Sequence, residues 1–178
     1  MQRSSQHILD EWLVACSQAG DKRAFERLLR RWHPRLLNYA KRQLRDQEGA
    51  KDVVQDTLLT VSKDLRKLKD PVAFPRWVYR ILHRRGCDWI AAQQRQRHNE
   101  DTNVGVDVVD GDELTARAIQ QGLRQLPREH YLTMYFFYLE EFSLHEIALI
   151  MDIPIGTVKS RLFTARQQLK ELLGGQNE

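Results

Sequence analysis

The sequence predicts an all-α protein: two small helical domains joined by an acidic linker, with a helix-turn-helix in the second. Three observations carry this. Apolar residues recur at helical spacing along most of the chain, with no strand-like alternation of useful length and no internal repeat. From Asn99 to Glu113 there are six acidic residues, two glycines, no Lys or Arg and no helical period, which marks a linker. From Ser143 to Leu169 two short amphipathic patterns meet at Asp152-Ile153-Pro154. The domains so predicted are residues 1–98 and 114–174, with 99–113 between them.

A first short helix spans Ile8 to Cys16, with Ile8, Trp12, Ala15 and Cys16 as its apolar side. Gly20-Asp21 ends it and supplies an N-cap for the next. There Phe25, Leu28, Leu29 and Trp32 follow at helical spacing. Pro34 predicts a kink or restart, after which Leu36, Leu37, Ala40 and Leu44 continue the stripe. Asp46 to Gly49 is a turn. Ala50, Val53, Val54, Thr57, Leu58, Val61, Leu65 and Leu68 then form the strongest helical stripe of the N-terminal half. Its outward side carries Asp52, Gln55, Asp56 and Leu59. A leucine among carboxylates fits either a partner surface or an ordinary exposed residue.

Asp70-Pro71 opens a loop, and Phe74-Pro75 leads into a segment whose core side is Trp77, Ile81, Leu82 and Cys87. Between Phe74 and His98 six arginines stand against a single acid, Asp88, with Tyr79 and Trp89 interleaved. Aromatics among arginines can stack on unpaired bases while the cations hold the backbone. They can equally be plain core and plain solvation. Past the linker a new apolar pattern begins at Leu114, Ala118, Leu123 and Leu126. Pro127 interrupts it, and His130 to Phe142 is dense in bulky residues, as a small domain needs to fold alone.

The last stretch is the most informative. Ser143 and Glu146 form a capping box, and Leu144, Ile147, Ala148 and Met151 give a short helical stripe. After the proline, Val158, Leu162, Ala165 and Leu169 form the buried side of a second helix. Gly156, Ser160, Phe163, Thr164 and Gln167 then point outward, with Lys159, Arg161 and Arg166 on the flanks. Small polar groups between cations suit a major groove, where hydroxyls and amides meet base edges and cations hold phosphates. A solvated face on a core helix would look the same.

The net charge is only +4, from 28 basic and 24 acidic residues, but its concentration in two places points to phosphate-bearing partners. The acidic linker, opposite in sign to both, is expected to lie against one of them without nucleic acid. Two cysteines far apart, Cys16 and Cys87, favour a reducing compartment. His83 and Cys87 could share a helix face, but two ligands do not make a metal site. With no apolar run long enough to span a bilayer and no signal-peptide pattern, the expected location is the cytoplasm. Nothing in the sequence supplies paired carboxylates, a nucleophile with its base, or a phosphate-binding glycine loop, so no enzyme and no cofactor is expected.

Three runs carry a family resemblance. Residues 123–127 read LRQLP, residues 143–148 SLHEIA and residues 156–166 GTVKSRLFTAR. Together they resemble the C-terminal domain of bacterial RNA polymerase sigma factors of the extracytoplasmic-function (ECF) type. Upstream, GDKRAFERLLRRWHPRLLNYAKRQL, AKDVVQDTLLTV and FPRWVYRI resemble the N-terminal domain of the same family, in the same order.

The resemblance implies an all-helical initiation factor that binds core RNA polymerase and promoter DNA. It makes Asp52, Gln55, Asp56 and Leu59 the polymerase-binding set. Trp77, Arg80, Arg84, Arg85, Asp88 and Arg95 are implied to engage and help open the start-proximal promoter element. Thr157, Lys159, Ser160, Arg161, Phe163, Thr164, Arg166 and Gln167 are implied to hold the upstream element. An anti-sigma factor is a regulator common in the family. The chain departs from the family pattern at Arg84, where Asn is frequent, at Ala91, where a second Arg is frequent, and at Phe163, usually polar or basic. Two alternatives stay open: a stand-alone helix-turn-helix regulator, and a module that sequesters polymerase or another sigma factor.

Overall fold

In the computed structural model the backbone is described for residues 5–97, 123 and 125–174, and side chains for 7–96, 123 and 125–171. These residues fall into two compact units, all helical, with no strand among them. The expected linker, with its charge-masking role, and the stripe from Leu114 to Ala118 lie outside the described residues.

The first unit holds α1 (Ser5–Gln18), α2 (Lys22–Leu44), α3 (Gln47–Asp64) and α4 (Phe74–Arg97), with 3-10 turns at Leu65–Lys67 and Pro71–Ala73 between the last two. The starts of α2, α3 and the turn before α4 have a sequence cause. Asp21 accepts hydrogen bonds from the Arg23 and Ala24 amides, Asp46 from Gly49 at 2.6 Å, and Asp70 from Val72 at 3.0 Å. Arg45, in the left-handed region, closes α2 by donating its amide to the Lys41 carbonyl.

The core is aromatic. Trp32 meets Phe74 edge-on at 5.2 Å and Tyr79 at 5.8 Å, and Tyr79 meets Tyr39 at 5.5 Å. A polar network sits among them. The Tyr39 hydroxyl lies 2.6 Å from His83 Nδ1, and Gln43 Nε2 donates to the His83 carbonyl at 2.8 Å. Helices approach closely at two glycines. Trp89 of α4 lies where a Cβ on Gly49 would stand, and Gln43 of α2 where one on Gly86 would.

Four expectations change here. The turn expected from Asp46 to Gly49 is instead the start of α3, which begins at Gln47 because the Asp46 side chain caps it. α2 runs unbroken through Pro34. Pro34 and Arg30 are exposed, so water can take the carbonyl that the proline leaves without a donor, while Leu28, Trp32, Leu36, Tyr39 and Ala40 hold the opposite face in the core. On α1 the buried residues are Asp10, Leu13, Val14 and Ser17, whereas Ile8 and Trp12 are each 56% exposed. The helix is turned by Asp10, whose carboxylate accepts from Arg31 Nε at 2.8 Å and stands 3.8 Å from Arg35 Nη1. On α4 the core side is Phe74, Val78, Tyr79, Leu82, His83 and Gly86; Trp77 and Ile81 are half-buried and Cys87 is exposed. His83 counts as core because the polar network accepts its heteroatoms, and Tyr79 because its ring packs edge-on against Trp32 and Tyr39.

The second unit holds α5 (Arg128–Met134), a π-helical turn (Tyr135–Leu139), α6 (Leu144–Met151) and α7 (Ile155–Gly174). The capping box forms as expected: Ser143 Oγ accepts from the Glu146 amide, and Glu146 accepts from the Ser143 amide. Asp152 ends α6 in the left-handed region. Leu132, Phe136, Ile147, Ile150, Val158, Leu162 and Ala165 make the core, with Phe142 stacked 5.8 Å from Phe136.

Candidate protein and nucleic-acid interfaces

α3 is buried along Val53, Val54, Thr57 and Val61, so the opposite side is free to meet a partner. Asp52, Gln55, Asp56 and Leu59 all lie on that exposed side, with Leu59 51% exposed. At its N-terminal end Glu48 accepts from Lys51 at 2.6 Å and holds that ammonium's pKa above its ordinary value.

α4 turns a second row outward. At about 100° per residue, Trp77, Arg84, Asp88 and Arg95 fall within about 20° of one line, with Arg80 about 60° to one side. Trp77 is half-buried, its ring tilted against Phe74 at 6.0 Å. Arg80, Arg84 and Asp88 are exposed, and Arg95 donates to the Ala91 carbonyl at 3.2 Å. Arg85 leaves the row on its other side. Its Nη2 donates to Thr60 Oγ1 at 2.6 Å and its Nη1 stands 3.5 Å from Asp56 Oδ2.

α7 presents Ser160, Phe163 and Gln167 outward, with Phe163 63% exposed and Thr157 and Thr164 half-buried. Gly156 has open space where a Cβ would stand, leaving the helix start unobstructed. Ser160 Oγ donates to the Thr157 carbonyl at 3.0 Å, so its lone pairs face solvent. Of the flanking cations, Lys159 is exposed. Arg161, only 20% exposed, is paired with Glu129 of α5 at 3.0 Å. Arg166 donates to the Tyr138 hydroxyl at 2.8 Å and lies over the Phe137 and Tyr138 rings. Sequence reading missed Glu129 and Tyr138. Tyr138 lay hidden inside a uniformly bulky run, and only the π-helical turn brings it outward.

Among the described residues no group of three His, Cys, Asp or Glu side chains could hold a metal ion, and no helix is long and apolar enough to cross a membrane.

Comparison with known proteins bears on these faces. Residues 28–96 match the Sigma-70 region 2 family, and residues 122–171 match Sigma-70, region 4. The chain is 32% identical over 167 residues to the ECF RNA polymerase sigma factor SigM of Mycobacterium tuberculosis, covering 93% of this chain and 85% of that protein. The chain belongs to the ECF sigma factor family.

Further relatives agree. The ECF RNA polymerase sigma-E factor of Haemophilus influenzae is 29% identical over 182 residues, covering 93% of this chain and 96% of that protein. The RNA polymerase sigma-H factor of Pseudomonas aeruginosa is 29% identical over 180 residues, covering 92% and 93%. The fold is that of the sigma factor RpoE, solved with the anti-sigma factor NepR from Bartonella quintana, at a TM-score of 0.72 and 24% identity over 84% of this chain and 96% of that one. CnrH, solved with the cytosolic domain of CnrY, gives 0.64 and 24% over 94% and 98%. This sigma factor is an alternative initiation subunit that directs RNA polymerase to promoters. A stand-alone regulator is not favoured, because region 2 sequence occupies the part where such a protein would differ.

Proposed function

We propose that the three outward faces divide the work of initiation. Asp52, Gln55, Asp56 and Leu59 dock on core polymerase. Trp77, Arg80, Arg84, Arg85, Asp88 and Arg95 hold and help open the start-proximal promoter element. Thr157, Lys159, Ser160, Arg161, Phe163, Thr164, Arg166 and Gln167 engage the upstream element. Residues 1–98 and 114–174 are then the two functional domains and 99–113 their acidic connection. The subunit contributes binding energy and no catalysis, and works in the cytoplasm, where polymerase is.

The observation that carries this is the α3 face. Three polar side chains surround a half-exposed leucine on a helix whose other side is fully committed to the core. An exposed leucine rimmed by carboxyl and amide groups suits a protein partner. The test is co-purification with core polymerase, followed by run-off transcription on a set of genomic promoters. Asp52→Arg with Gln55→Ala should abolish both while leaving helicity by circular dichroism unchanged; a surviving complex would place the interface elsewhere. An anti-sigma factor, the kind of partner named for RpoE above, is a proposed regulator, to be sought by co-purification from cells.

A further inference from the structure

Arg85 belongs by position to the promoter-facing helix, yet its guanidinium is held by α3. The Thr60 hydroxyl donates to the Asp56 carbonyl at 3.1 Å and accepts from Arg85 Nη2 at 2.6 Å, a chain with every donor and acceptor in order. Arg85 Nη1 adds an ion pair to Asp56 Oδ2 at 3.5 Å. Asp56 is one of the residues assigned above to core polymerase. The same carboxylate therefore faces the polymerase and restrains a cation on the DNA side.

We propose that Arg85 is a positioning residue shared by the two interfaces, which couples polymerase binding to DNA binding. In the free protein Asp56 and Thr60 hold it against α3. When a cationic group of core polymerase takes the Asp56 carboxylate, Arg85 loses half of its hold and turns to a backbone phosphate of the promoter. The inference rests on the assignment of Asp56 to the polymerase face. A weak hold suits the role. The pair is 38% and 62% exposed, and an exposed pair of this kind shifts a population only a few-fold, which a docking partner can overcome. The coupling is reciprocal: DNA that captures Arg85 leaves Asp56 unneutralised and readier for polymerase.

The test uses the full-length protein without polymerase and a fluorescein-labelled single-stranded oligodeoxynucleotide of mixed sequence. Thr60→Val removes the acceptor for Arg85 without changing any charge, and Asp56→Asn removes the ion pair. Each should tighten binding about 3-fold at low salt and steepen the dependence of log K on log salt by about 0.7, the signature of one added phosphate contact on a single strand. In the Arg85→Gln background Thr60→Val should change neither affinity nor slope, and Asp56→Asn, which also removes a negative charge, should leave the slope unchanged. Wild-type slopes in both single variants, or a Thr60→Val gain or a steeper Asp56→Asn slope that persists with Arg85→Gln, would overturn the proposal. Co-purification of Asp56→Asn with core polymerase separates the two failures. Undiminished polymerase binding would refute the assignment of Asp56 whatever the slopes are, whereas reduced binding with wild-type slopes would refute only the coupling.

Discussion

Glu141 sits in the left-handed region at φ 55°, a conformation that costs a side chain with a Cβ about 1–2 kcal/mol. It is exposed and connects the π-helical turn to the cap of α6. Replacing Glu141 with Gly should therefore stabilise the second unit by about 0.5–1 kcal/mol, net of the extra freedom glycine gives the unfolded chain, as a raised denaturation midpoint. Asp10 makes the opposite case. Its carboxylate is almost wholly buried against Arg31, so Asp10→Ala should destabilise the first unit by about 2 kcal/mol, read by urea denaturation. Charge pairing also ranks the cations of α7. Because Glu129 already holds Arg161, Lys159→Ala should lower the salt slope of duplex binding by about 0.9, and Arg161→Ala by less while also lowering the melting temperature. Equal slope changes would mean that Arg161 leaves Glu129 when DNA arrives.

At the scale of the element, legibility followed the source of burial. α3 could be read from the sequence because its core face is a regular apolar stripe, so the outward set fell out by subtraction. The capping box and the outward residues of α7 were legible for the same reason. α1 was not. Its orientation is set by a carboxylate paired with an arginine of α2, and no periodicity of apolar residues can announce a buried Asp10. α4 misled in the same way, since His83 enters the core on the strength of Tyr39 and Gln43, and Tyr79 on that of the Trp32 and Tyr39 rings, all distant in sequence. Of the kink or restart expected at Pro34, the restart does not occur, because the flanking core residues outweigh a missing hydrogen bond on the wet side. That excess is measurable: Pro34→Ala should raise stability by about 2 kcal/mol without changing helix content.

For the whole molecule, each unit owns a core built from its own helices. Fragments 1–98 and 114–178 should therefore each fold and unfold cooperatively, the smaller with the lower midpoint because it buries less per residue. A fragment without a cooperative transition would mean that its fold depends on the other. The approach of α4 to α3 at Gly49 then acquires a meaning beyond packing. Trp89 rests where any larger residue would put its first carbon, so the spacing between the two helices is gauged by the absence of a single methyl group. The row proposed to meet polymerase and the row proposed to meet the promoter ride on those helices, and that gap sets how far apart the helices stand. On that proposal, a substitution at 49 would touch neither partner and still alter where, relative to the enzyme, the DNA is held.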